Sequence, residues 1–227
     1  IGKSMKAMIL AAGLGSRLRP ITNKLPKPLI DVGGISLIER LINQLIAFGV
    51  SEFVINVSYL GDQIKEALKS TDAISKIIFI DEPFPYGTGG ALVNAKNFLG
   101  NDPFILSTAD IVFDSSFNQL PSTVEAAHLV AVKNPVHNQR GDFSMRTNTV
   151  FINDGMNDFT YSGISVLNPN ILDAHLSRKY PFDLWNTILK PLIAKSMVSA
   201  NFDDSLWIDV GTEDRLKLAR KVLKDEN

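Results

Sequence analysis

Hydrophobic and polar positions follow two patterns that take turns along the first half of the chain. Short apolar runs have the length of a buried strand, and the segments between them repeat an apolar residue every three or four positions, as on one face of a helix. The strand-like runs are 6–12, 53–57, 76–80 and 103–107. The helix-like segments are 35–48, 61–70 and 90–99. This alternation predicts βαβ units, and therefore an α/β fold with an open, mostly parallel sheet that carries helices on both faces.

The alternation loosens in the second half of the chain. Strand-like runs there are 129–133, 149–152, 160–167 and 198–202. Helix-like segments are 169–176, 181–195 and 213–224. Since no internal repeat or low-complexity linker interrupts these elements, we expect a single domain over residues 5–227. Residues 1–4 precede Met5, which resembles an initiator methionine, and we interpret them as a remnant of expression cloning.

The carboxyl ends of the strands are the first region to search for chemistry, because ligands of open parallel sheets bind there. Three of these ends are followed by 13–17, 81–90 and 108–110. The charge distribution favours the first. Residues 1–30 contain no Asp or Glu, although the formal net charge of the whole chain is only −1. A local excess of positive charge of this kind indicates an anionic ligand.

The segment after the first strand combines small residues with basic side chains. Small residues let backbone N–H groups approach a ligand closely, and such groups form a cradle for phosphate oxygens. They are Ala11, Ala12, Gly13 and Gly15. Arg17 adds a planar fork of donors, and two prolines hold Lys27 in a stiff segment. Together these features predict a polyphosphate site, whereas the glycines alone would also fit an ordinary tight turn.

A second glycine-rich loop, with Gly87, Thr88 and Gly89, follows the third strand and precedes a helix. Its amides could face a flat or anionic group, and the lack of side chains leaves room for a planar base. The alternative is a flexible loop in which a helix begins at Gly89.

Two aspartates stand at positions suited to a divalent cation. Asp110 ends an apolar run, and Asp209 lies between apolar neighbours, where an ionised carboxylate needs a cation or strong hydrogen bonds. Magnesium takes one or two carboxylates and completes its shell with phosphate and water. Each aspartate could instead cap a turn or a helix. We expect His137 in a surface loop, and three scattered histidines without a nucleophile motif make histidine base catalysis a weak hypothesis.

Composition narrows the classes of function. The chain of 227 residues is 45% hydrophobic and 21% charged, which is ordinary for a globular protein, and it has no cysteine for a disulfide or a thiolate metal site. No apolar run approaches the roughly 20 residues of a membrane span, and no signal peptide is apparent. The near-neutral charge argues against a nucleic-acid binder. We therefore expect a cytoplasmic protein, a monomer or small homo-oligomer, that binds a small anion.

These motifs together resemble the sugar-phosphate nucleotidyltransferases. The segment 10–20 is similar to the glycine-rich signature of that family, and 26–29 to its lysine motif, at the spacing the family uses. The likeness continues through 87–90, Asp110, 162–164 and 207–212. It implies a Rossmann-like, GT-A-like fold and the reaction of a nucleoside triphosphate with a sugar 1-phosphate to give a nucleotide sugar and pyrophosphate, with Mg²⁺ as cofactor.

Within that family, the segments 134–143 and 207–211 are most similar to compact uridylyltransferases that act on N-acetylmuramic acid 1-phosphate in peptidoglycan recycling. Guanylyl or thymidylyl transfer to mannose or glucose 1-phosphate is the alternative on the same scaffold. A catalytically silent nucleotide-sensing domain is another, although such a copy should have lost its basic or acidic site residues. A P-loop phosphotransferase is disfavoured, since Gly-Lys-Ser/Thr is missing.

The resemblance also implies roles for individual residues. Arg17 would steady the pyrophosphate, Lys27 would neutralise the α-phosphate, and Asp110 with Asp209 would hold Mg²⁺. The implied nucleotide-binding residues are Ala11, Ala12, Gly13, Gly15, Gly87, Thr88 and Gly89. The implied sugar-binding residues are Gly141, Asp142, Ser162 and Gly163. Two departures stand out: Ala109 replaces a common glycine, and 147–158 lacks the Glu-Lys-Pro motif of larger members.

Overall fold

A computed structural model describes residues 5–71 and 76–225, so the predicted cloning remnant at 1–4 lies outside the described residues. The strands are β1 (Lys6–Leu10), β2 (Asp31–Val32), β3 (Ile35–Ser36), β4 (Glu52–Val57), β5 (Ile77–Asp81), β6 (Phe104–Thr108), β7 (Ile111–Phe113), β8 (Ala127–Lys133), β9 (Ser144–Arg146), β10 (Thr149–Phe151), β11 (Phe159–Leu167), β12 (Val198–Phe202) and β13 (Trp207–Asp209). The α-helices are α1 (Leu37–Phe48), α2 (Gly61–Leu68), α3 (Gly87–Leu99), α4 (Lys190–Ile193) and α5 (Glu213–Asp225).

Shorter helical turns connect these elements. Single 3-10 turns lie at Ser16–Leu18, Ile21–Asn23, Lys27–Leu29 and Val136–Asn138, and a longer 3-10 helix spans Pro169–His175. A π-helical turn at Trp185–Leu189 leads into α4. Among the helices of the described residues, none combines the length and the apolar character that crossing a lipid bilayer demands.

One large sheet organises the described residues, with the strand order β5-β4-β1-β6-β11-β8-β12-β10-β9. Strands β5, β4, β1 and β6 are parallel throughout. Strand β11 runs antiparallel to both of its neighbours, β6 and β8. The predicted α/β sheet with helices is confirmed. Its regular parallel part is the half in which strands and helices alternate, and the antiparallel pairs belong to the half in which the pattern loosens.

Both faces of the sheet are covered. On β1 and β4, Ile9 and Ile55 face one hydrophobic cluster that includes residues of α1 and α2. Their neighbours Met8 and Val54 face a second cluster that includes residues of α3 and α4. Side chains of a strand alternate between its faces, so consecutive apolar residues in β1 supply both cores. The two main clusters pack on opposite faces of one sheet, and the single domain over residues 5–227 stays a prediction.

Helix α1 shows how the sequence defines an element. Its apolar stripe is fully or almost fully buried and comprises Leu37, Ile38, Leu41, Ile42 and Leu45. The Ser36 hydroxyl accepts a hydrogen bond from the Glu39 N–H, and the Glu39 carboxylate accepts one from the Ser36 N–H, which forms a capping box. Gly49, with φ of 107°, ends the helix in a left-handed conformation.

Several predicted boundaries are wrong for local reasons. The first helix begins at Leu37 rather than at 35, because Ile35–Ser36 pairs with Asp31–Val32 as a small hairpin. The segment 169–176 is a 3-10 rather than an α-helix. Helical structure in 181–195 begins only near Trp185, since the backbone of Phe182 pairs instead with Tyr86. The pairing of β7 with β13 has no counterpart in the predicted elements.

Candidate functional site

A cavity of about 430 Å³ opens where the parallel strands β1 and β6 end. Its walls include residues from the loop after β1, the start of α3, the end of β6 and the segment after β13. The lining residues are Leu10, Ala11, Ala12, Gly13, Leu14, Gly15, Ser16, Arg17, Leu18, Lys27, Pro28, Asn56, Glu82, Pro85, Gly87, Thr88, Thr108, Ala109, Asp110 and Gly211. The sheet edge predicted to carry the chemistry is therefore the edge that holds this cavity.

The glycine-rich loop after β1 has little side-chain bulk on its cavity side. A Cβ atom added to Gly13 would have no heavy atom within 4 Å. Gly15 has φ of 63°, and a Cβ there would lie 2.8 Å from Cγ2 of Thr22. The Thr22 hydroxyl donates a hydrogen bond of 2.8 Å to the Gly15 carbonyl. The loop is thus held from behind, while its front remains open to a ligand.

A buried polar network, not predicted from the sequence, joins the two glycine loops. The Ala11 N–H donates to Oδ1 of Asn56 at 3.0 Å, and Nδ2 of Asn56 donates to Oε1 of Glu82 at 2.8 Å. The Tyr86 N–H donates to Oε2 of Glu82 at 2.8 Å. Burial raises the pKa of the Glu82 carboxyl, and these two hydrogen bonds act in the opposite direction. The available sequence signal was an asparagine inside an apolar strand and a glutamate directly after one.

The second glycine-rich segment, predicted as a loop before a helix at 90–99, is the first turn of α3, which begins at Gly87. Gly87 and Thr88 line the cavity, but Gly89 does not. The N–H groups of Gly89 and Gly90 donate instead to the Phe182 carbonyl, at 3.1 and 3.2 Å. A Cβ on Gly87, whose φ is 76°, would lie 2.4 Å from that carbonyl oxygen. Some of the amides that were expected to face a base are therefore used instead to hold the start of α3 against the backbone of Phe182.

Basic and acidic side chains meet inside the cavity. Nζ of Lys27 lies 2.5 Å from Oδ2 of Asp110, and both residues line the cavity together with Arg17. A Cβ added to Gly211 would lie 3.2 Å from Nη2 of Arg17, so that guanidinium reaches the segment after β13. Three of the four predicted catalytic side chains thus share one cavity.

Asp209 lies beside the cavity rather than in its lining. Strand β13 pairs with β7, and the Val210 N–H donates to the Asp110 carbonyl at 2.8 Å, which brings the two aspartates together. Oδ2 of Asp209 is 3.1 Å from Nη2 of Arg215. Burial raises the pKa of Asp209, and the nearby Asp110 raises it further, while Arg215 and His137 act to lower it. The backbone hydrogen bond and this effect on Asp209 both follow from the short distance between the two aspartates.

His137 and Arg215 are site residues that the sequence analysis missed. Nε2 of His137 lies 3.1 Å from Oδ1 of Asp209, and its side chain is 41% exposed. The expected surface position of His137 therefore also brings its ring to a candidate metal ligand. Arg215 lies in the first turn of α5, the helix that follows β13, and is so close to Gly211 that a Cβ there would be 2.1 Å from its Nη2. Only the three-dimensional contact could reveal either role.

The donor set fits a magnesium ion that is shared with phosphate. Within residues 5–71 and 76–225, no group of three or more His, Cys, Asp or Glu side chains is suited to enclose a metal. Oδ1 of Asp209 is buried and accepts no hydrogen bond within these residues, although Nε2 of His137 lies 3.1 Å away. Two carboxylates, one with an unsatisfied oxygen, leave coordination positions for phosphate and water, as Mg²⁺ requires.

The four predicted sugar-binding residues lie outside the cavity lining. Asp142 accepts hydrogen bonds from the Tyr161 N–H at 2.8 Å and from Nδ2 of Asn138 at 3.0 Å. Gly141 has φ of 64° and is closely approached by the Asn157 carbonyl. In these positions both residues maintain the 134–142 loop, whether or not they also touch a sugar.

Ser162 and Gly163 lie nearer the cavity, at the irregularity of β11. Ser162 is buried, and its carbonyl accepts a hydrogen bond of 2.9 Å from Nε1 of Trp207. Gly163 has φ of 88°, and a Cβ there would lie 2.8 Å from Oγ1 of Thr108, a residue of the cavity wall. The sugar-binding role of all four residues stays a prediction.

Comparison with known proteins connects this geometry to an enzyme family. The nucleotidyl transferase family matches residues 6–141. The chain is 37% identical to N-acetylmuramate alpha-1-phosphate uridylyltransferase of Neisseria meningitidis serogroup B, over 96% of this chain and 98% of that protein. It is 32% identical to a mannose-1-phosphate guanyltransferase of Aspergillus oryzae, over 91% of this chain but only 61% of that longer protein. Among solved structures, HddC of Yersinia pseudotuberculosis complexed with GMP-PN superposes with a TM-score of 0.79 at 25% identity, over 96% of this chain and 99% of that one.

Proposed function

We propose that this chain, which belongs to the nucleotidyl transferase family, uses UTP and N-acetylmuramic acid 1-phosphate to make the corresponding nucleotide sugar and pyrophosphate. One observation carries the proposal: Arg17, Lys27 and Asp110 line a single amide-rich cavity beside Asp209. A catalytically silent copy of the fold would have no reason to retain all four side chains together.

The reaction joins two anions, so the work of the protein is alignment and charge stabilisation. The phosphate of the sugar is already a competent nucleophile and needs no general base. Arg17 would hold the departing pyrophosphate with its fork of donors, and Lys27 would stabilise negative charge at the α-phosphate. Mg²⁺, held by Asp110 and Asp209, supplies further charge neutralisation on the phosphates when it is bound.

The nucleotide would bind along the two glycine loops. Backbone groups of Ala11, Ala12 and Gly13 face the open side of the first loop, and Gly87 with Thr88 faces it from the second. The Asn56–Glu82 network fixes the separation of the two loops, because each end of it is hydrogen-bonded to a loop amide. Gly141, Asp142, Ser162 and Gly163 are the proposed contacts to the sugar, either directly or by holding its loop.

The choice of substrate rests on the Neisseria relative, which aligns along almost its whole length. In this proposal the product returns N-acetylmuramic acid to peptidoglycan synthesis. A nucleoside triphosphate is a cytoplasmic metabolite, so the reaction belongs in the cytoplasm. Guanylyl transfer to mannose 1-phosphate is the second candidate, which the Aspergillus relative and the GMP-PN complex of HddC favour.

Pyrophosphate release tests the proposal. Four nucleoside triphosphates should be combined with the 1-phosphates of N-acetylmuramic acid, mannose, glucose and N-acetylglucosamine in the presence of Mg²⁺. We expect the fastest release with UTP and N-acetylmuramic acid 1-phosphate. Fastest release with GTP and mannose 1-phosphate would select the second candidate, and no release from any pair would refute the enzymatic assignment.

Substitutions at the cavity should separate turnover from folding. We expect Lys27→Ala and Asp110→Ala each to lower kcat/KM by a factor on the order of 100 or more, because each removes charge control at the reacting phosphates. Both side chains are at the cavity surface, so far-ultraviolet circular dichroism should be unchanged. Retention of wild-type turnover in either variant would contradict the assigned roles.

A further inference from the structure

The two candidate metal ligands are already paired with cations of the protein itself. Nζ of Lys27 is 2.5 Å from Oδ2 of Asp110, and Nη2 of Arg215 is 3.1 Å from Oδ2 of Asp209. At Asp110 the ammonium contacts one of the two oxygens that a divalent ion would use. A magnesium ion approaches its oxygen ligands to about 2.0–2.1 Å, and a second cation against the same carboxylate opposes it.

The two pairs differ in whether a ligand can separate them. Lys27 and Asp110 both line the cavity, whereas Arg215 and Asp209 do not. The Lys27 side chain is 11% exposed and that of Asp110 is 35% exposed, so the pair is covered on the lysine side and open on the carboxylate side. Arg215 packs against Gly211 from outside the lining, and its side chain is 15% exposed. A ligand in the cavity can therefore contact Lys27 and Asp110 directly, whereas Arg215 and Asp209 lie outside the lining that it touches.

Lys27 has a fixed backbone and a flexible side chain, so its ammonium group can move from one anion to another. Its backbone is fixed in the 3-10 turn Lys27–Leu29 between Pro26 and Pro28. Its side chain is a flexible four-carbon stem that ends in a charge with three donors and no directional fork. The same cavity has the amide cradle and Arg17, so a triphosphate bound there would present several new anionic oxygens to the ammonium.

We propose that Lys27 stands in for the divalent ion at Asp110 in the ligand-free protein, and that its transfer to the nucleotide phosphates releases Asp110 to bind metal. The inference rests on the proposed function only in that the cavity binds a nucleoside triphosphate. It makes metal and nucleotide binding mutually favourable, and by thermodynamic linkage the coupling is the same in both directions. Free divalent ion alone should then bind poorly to the empty protein.

The first test measures Mn²⁺ binding to nucleotide-free protein by electron paramagnetic resonance. Lys27→Met keeps the side-chain stem but removes the charge, and we expect it to bind Mn²⁺ about tenfold more tightly than wild type, within the ordinary range of coupling between sites. Arg17→Gln is the matched control, because it removes a positive charge from the same cavity without touching the Asp110 pair. Its gain in affinity should be clearly smaller.

The second test asks whether the tighter Mn²⁺ binding of Lys27→Met depends on the carboxylate of Asp110. Adding Asp110→Asn to Lys27→Met should abolish the tighter Mn²⁺ binding, while Asp110→Asn alone should strengthen UTP binding in the presence of EDTA, because Lys27 is then free for the phosphates. That strengthening should disappear in the double variant. A thermal melt of each variant checks that it is folded, and Lys27→Ala replaces Lys27→Met if the latter is not.

Three results would overturn the inference: Mn²⁺ binding unchanged in Lys27→Met, an equal gain in Arg17→Gln, or a gain that survives Asp110→Asn. These readouts involve no turnover. If the wild type releases pyrophosphate but Lys27→Met does not bind Mn²⁺ more tightly, the proposed transfer of Lys27 from Asp110 to the nucleotide is refuted. The proposed function then stands. If Lys27→Met binds Mn²⁺ more tightly but no substrate pair releases pyrophosphate, the proposed function is refuted. The proposed transfer of Lys27 then stands.

Discussion

At the scale of single residues, the site depends on glycines that face opposite constraints. Gly13 borders open space in the cavity, whereas Gly87 has φ of 76° and is pressed against the Phe182 carbonyl. The first is small so that a ligand can approach, and the second is small because neither its backbone conformation nor its neighbour tolerates a side chain. Two glycines of similar appearance in the sequence therefore serve binding and folding respectively.

Gly13→Ala and Gly87→Ala should separate these two requirements. We expect Gly87→Ala to lower the free energy of unfolding by about 1–3 kcal/mol, because it strains a left-handed residue against backbone. Gly13→Ala should leave stability nearly unchanged and instead raise KM for the nucleotide, since its methyl group enters the cavity. Urea unfolding and steady-state kinetics measure the two effects, and comparable stability losses in both variants would contradict this division.

Glu82 gives a pH-dependent prediction at the same scale. Its pKa is raised in the folded protein, mainly by burial, so the folded state binds a proton more readily than the unfolded state. Its contribution to stability is therefore fully present below the unfolded pKa, near 4.3, and is lost as pH rises through the folded pKa.

Glu82→Gln cannot lose a proton and should lack this dependence. Urea unfolding of wild type and variant between pH 4 and 7 should show the variant improving relative to wild type as pH rises. A difference that is constant with pH would show that Glu82 titrates equally in both states. Glu125→Gln, the same substitution at an exposed position, is the matched control.

At the scale of elements, the start of α3 is positioned by a distant segment rather than by its own sequence. The Phe182 carbonyl accepts two amide hydrogen bonds from Gly89 and Gly90, and the Thr88 hydroxyl oxygen accepts a bond of 2.8 Å from the Leu184 N–H. The first turn of α3, which borders the cavity, is thus fixed by residues nearly a hundred positions later. Substitutions in this contact should therefore change nucleotide binding through the position of that turn.

Thr88→Val tests that contact because it keeps the shape of the side chain and removes the acceptor. Leaving the Leu184 N–H without a partner should cost about 1–3 kcal/mol of stability and raise KM for the nucleotide more than KM for the sugar phosphate. Thr88→Ser retains the hydroxyl and should behave close to wild type in both measurements. An equal effect of the two substitutions would mean that the hydrogen bond does not position the loop.

The elements that could be predicted are those whose signal is local. The stripe and capping residues of α1 lie within one segment, and the first-half strands are apolar runs bounded by turns. The strands β7 and β13 are three residues each and show no alternation of their own. They form because their apolar residues pack with α5, a cluster that includes Val112, Ile208 and Leu216. That information is tertiary and has no trace in a window of sequence.

The residues of the site also fall into two groups, those that the sequence indicates and those that only the folded structure reveals. The positions of Arg17 and Asp110 could be predicted because each follows a strand and the two strands end at one edge of the sheet. Lys27 could be singled out because two prolines flank it in a stretch without Asp or Glu. Asn56 and Glu82 resemble ordinary strand and loop residues until their hydrogen bonds are seen. His137 and Arg215 come from segments that reach Asp209 only in the folded chain.

At the scale of the whole molecule, the charge is unevenly distributed. The formal net charge is −1, and in the cavity Lys27 is paired with Asp110, while beside it Arg215 is paired with Asp209. Arg17 also lines the cavity and has no ion-pair partner among the described residues, so its charge is available to attract a polyanionic substrate. Screening by salt should weaken this attraction, because the Debye length falls to about 3 Å at 1 M ionic strength.

Ionic strength should therefore raise KM for the nucleotide more than it lowers kcat. We expect a change of severalfold in KM between about 0.05 and 0.5 M NaCl, with a shallower dependence in Arg17→Gln. Lys69→Ala removes a charge from an exposed ion pair on another part of the surface and should retain the wild-type slope. Equal slopes in all three proteins would argue against a focused field in the cavity.

The pairing of β7 with β13 makes the spacing of the two aspartates depend on one short contact between distant parts of the chain. The nucleotide cradle does not depend on that contact, because it is formed by the loop after β1 and by the start of α3. Substitutions that break the pairing should therefore separate Asp209 from Asp110 and leave the cradle in place.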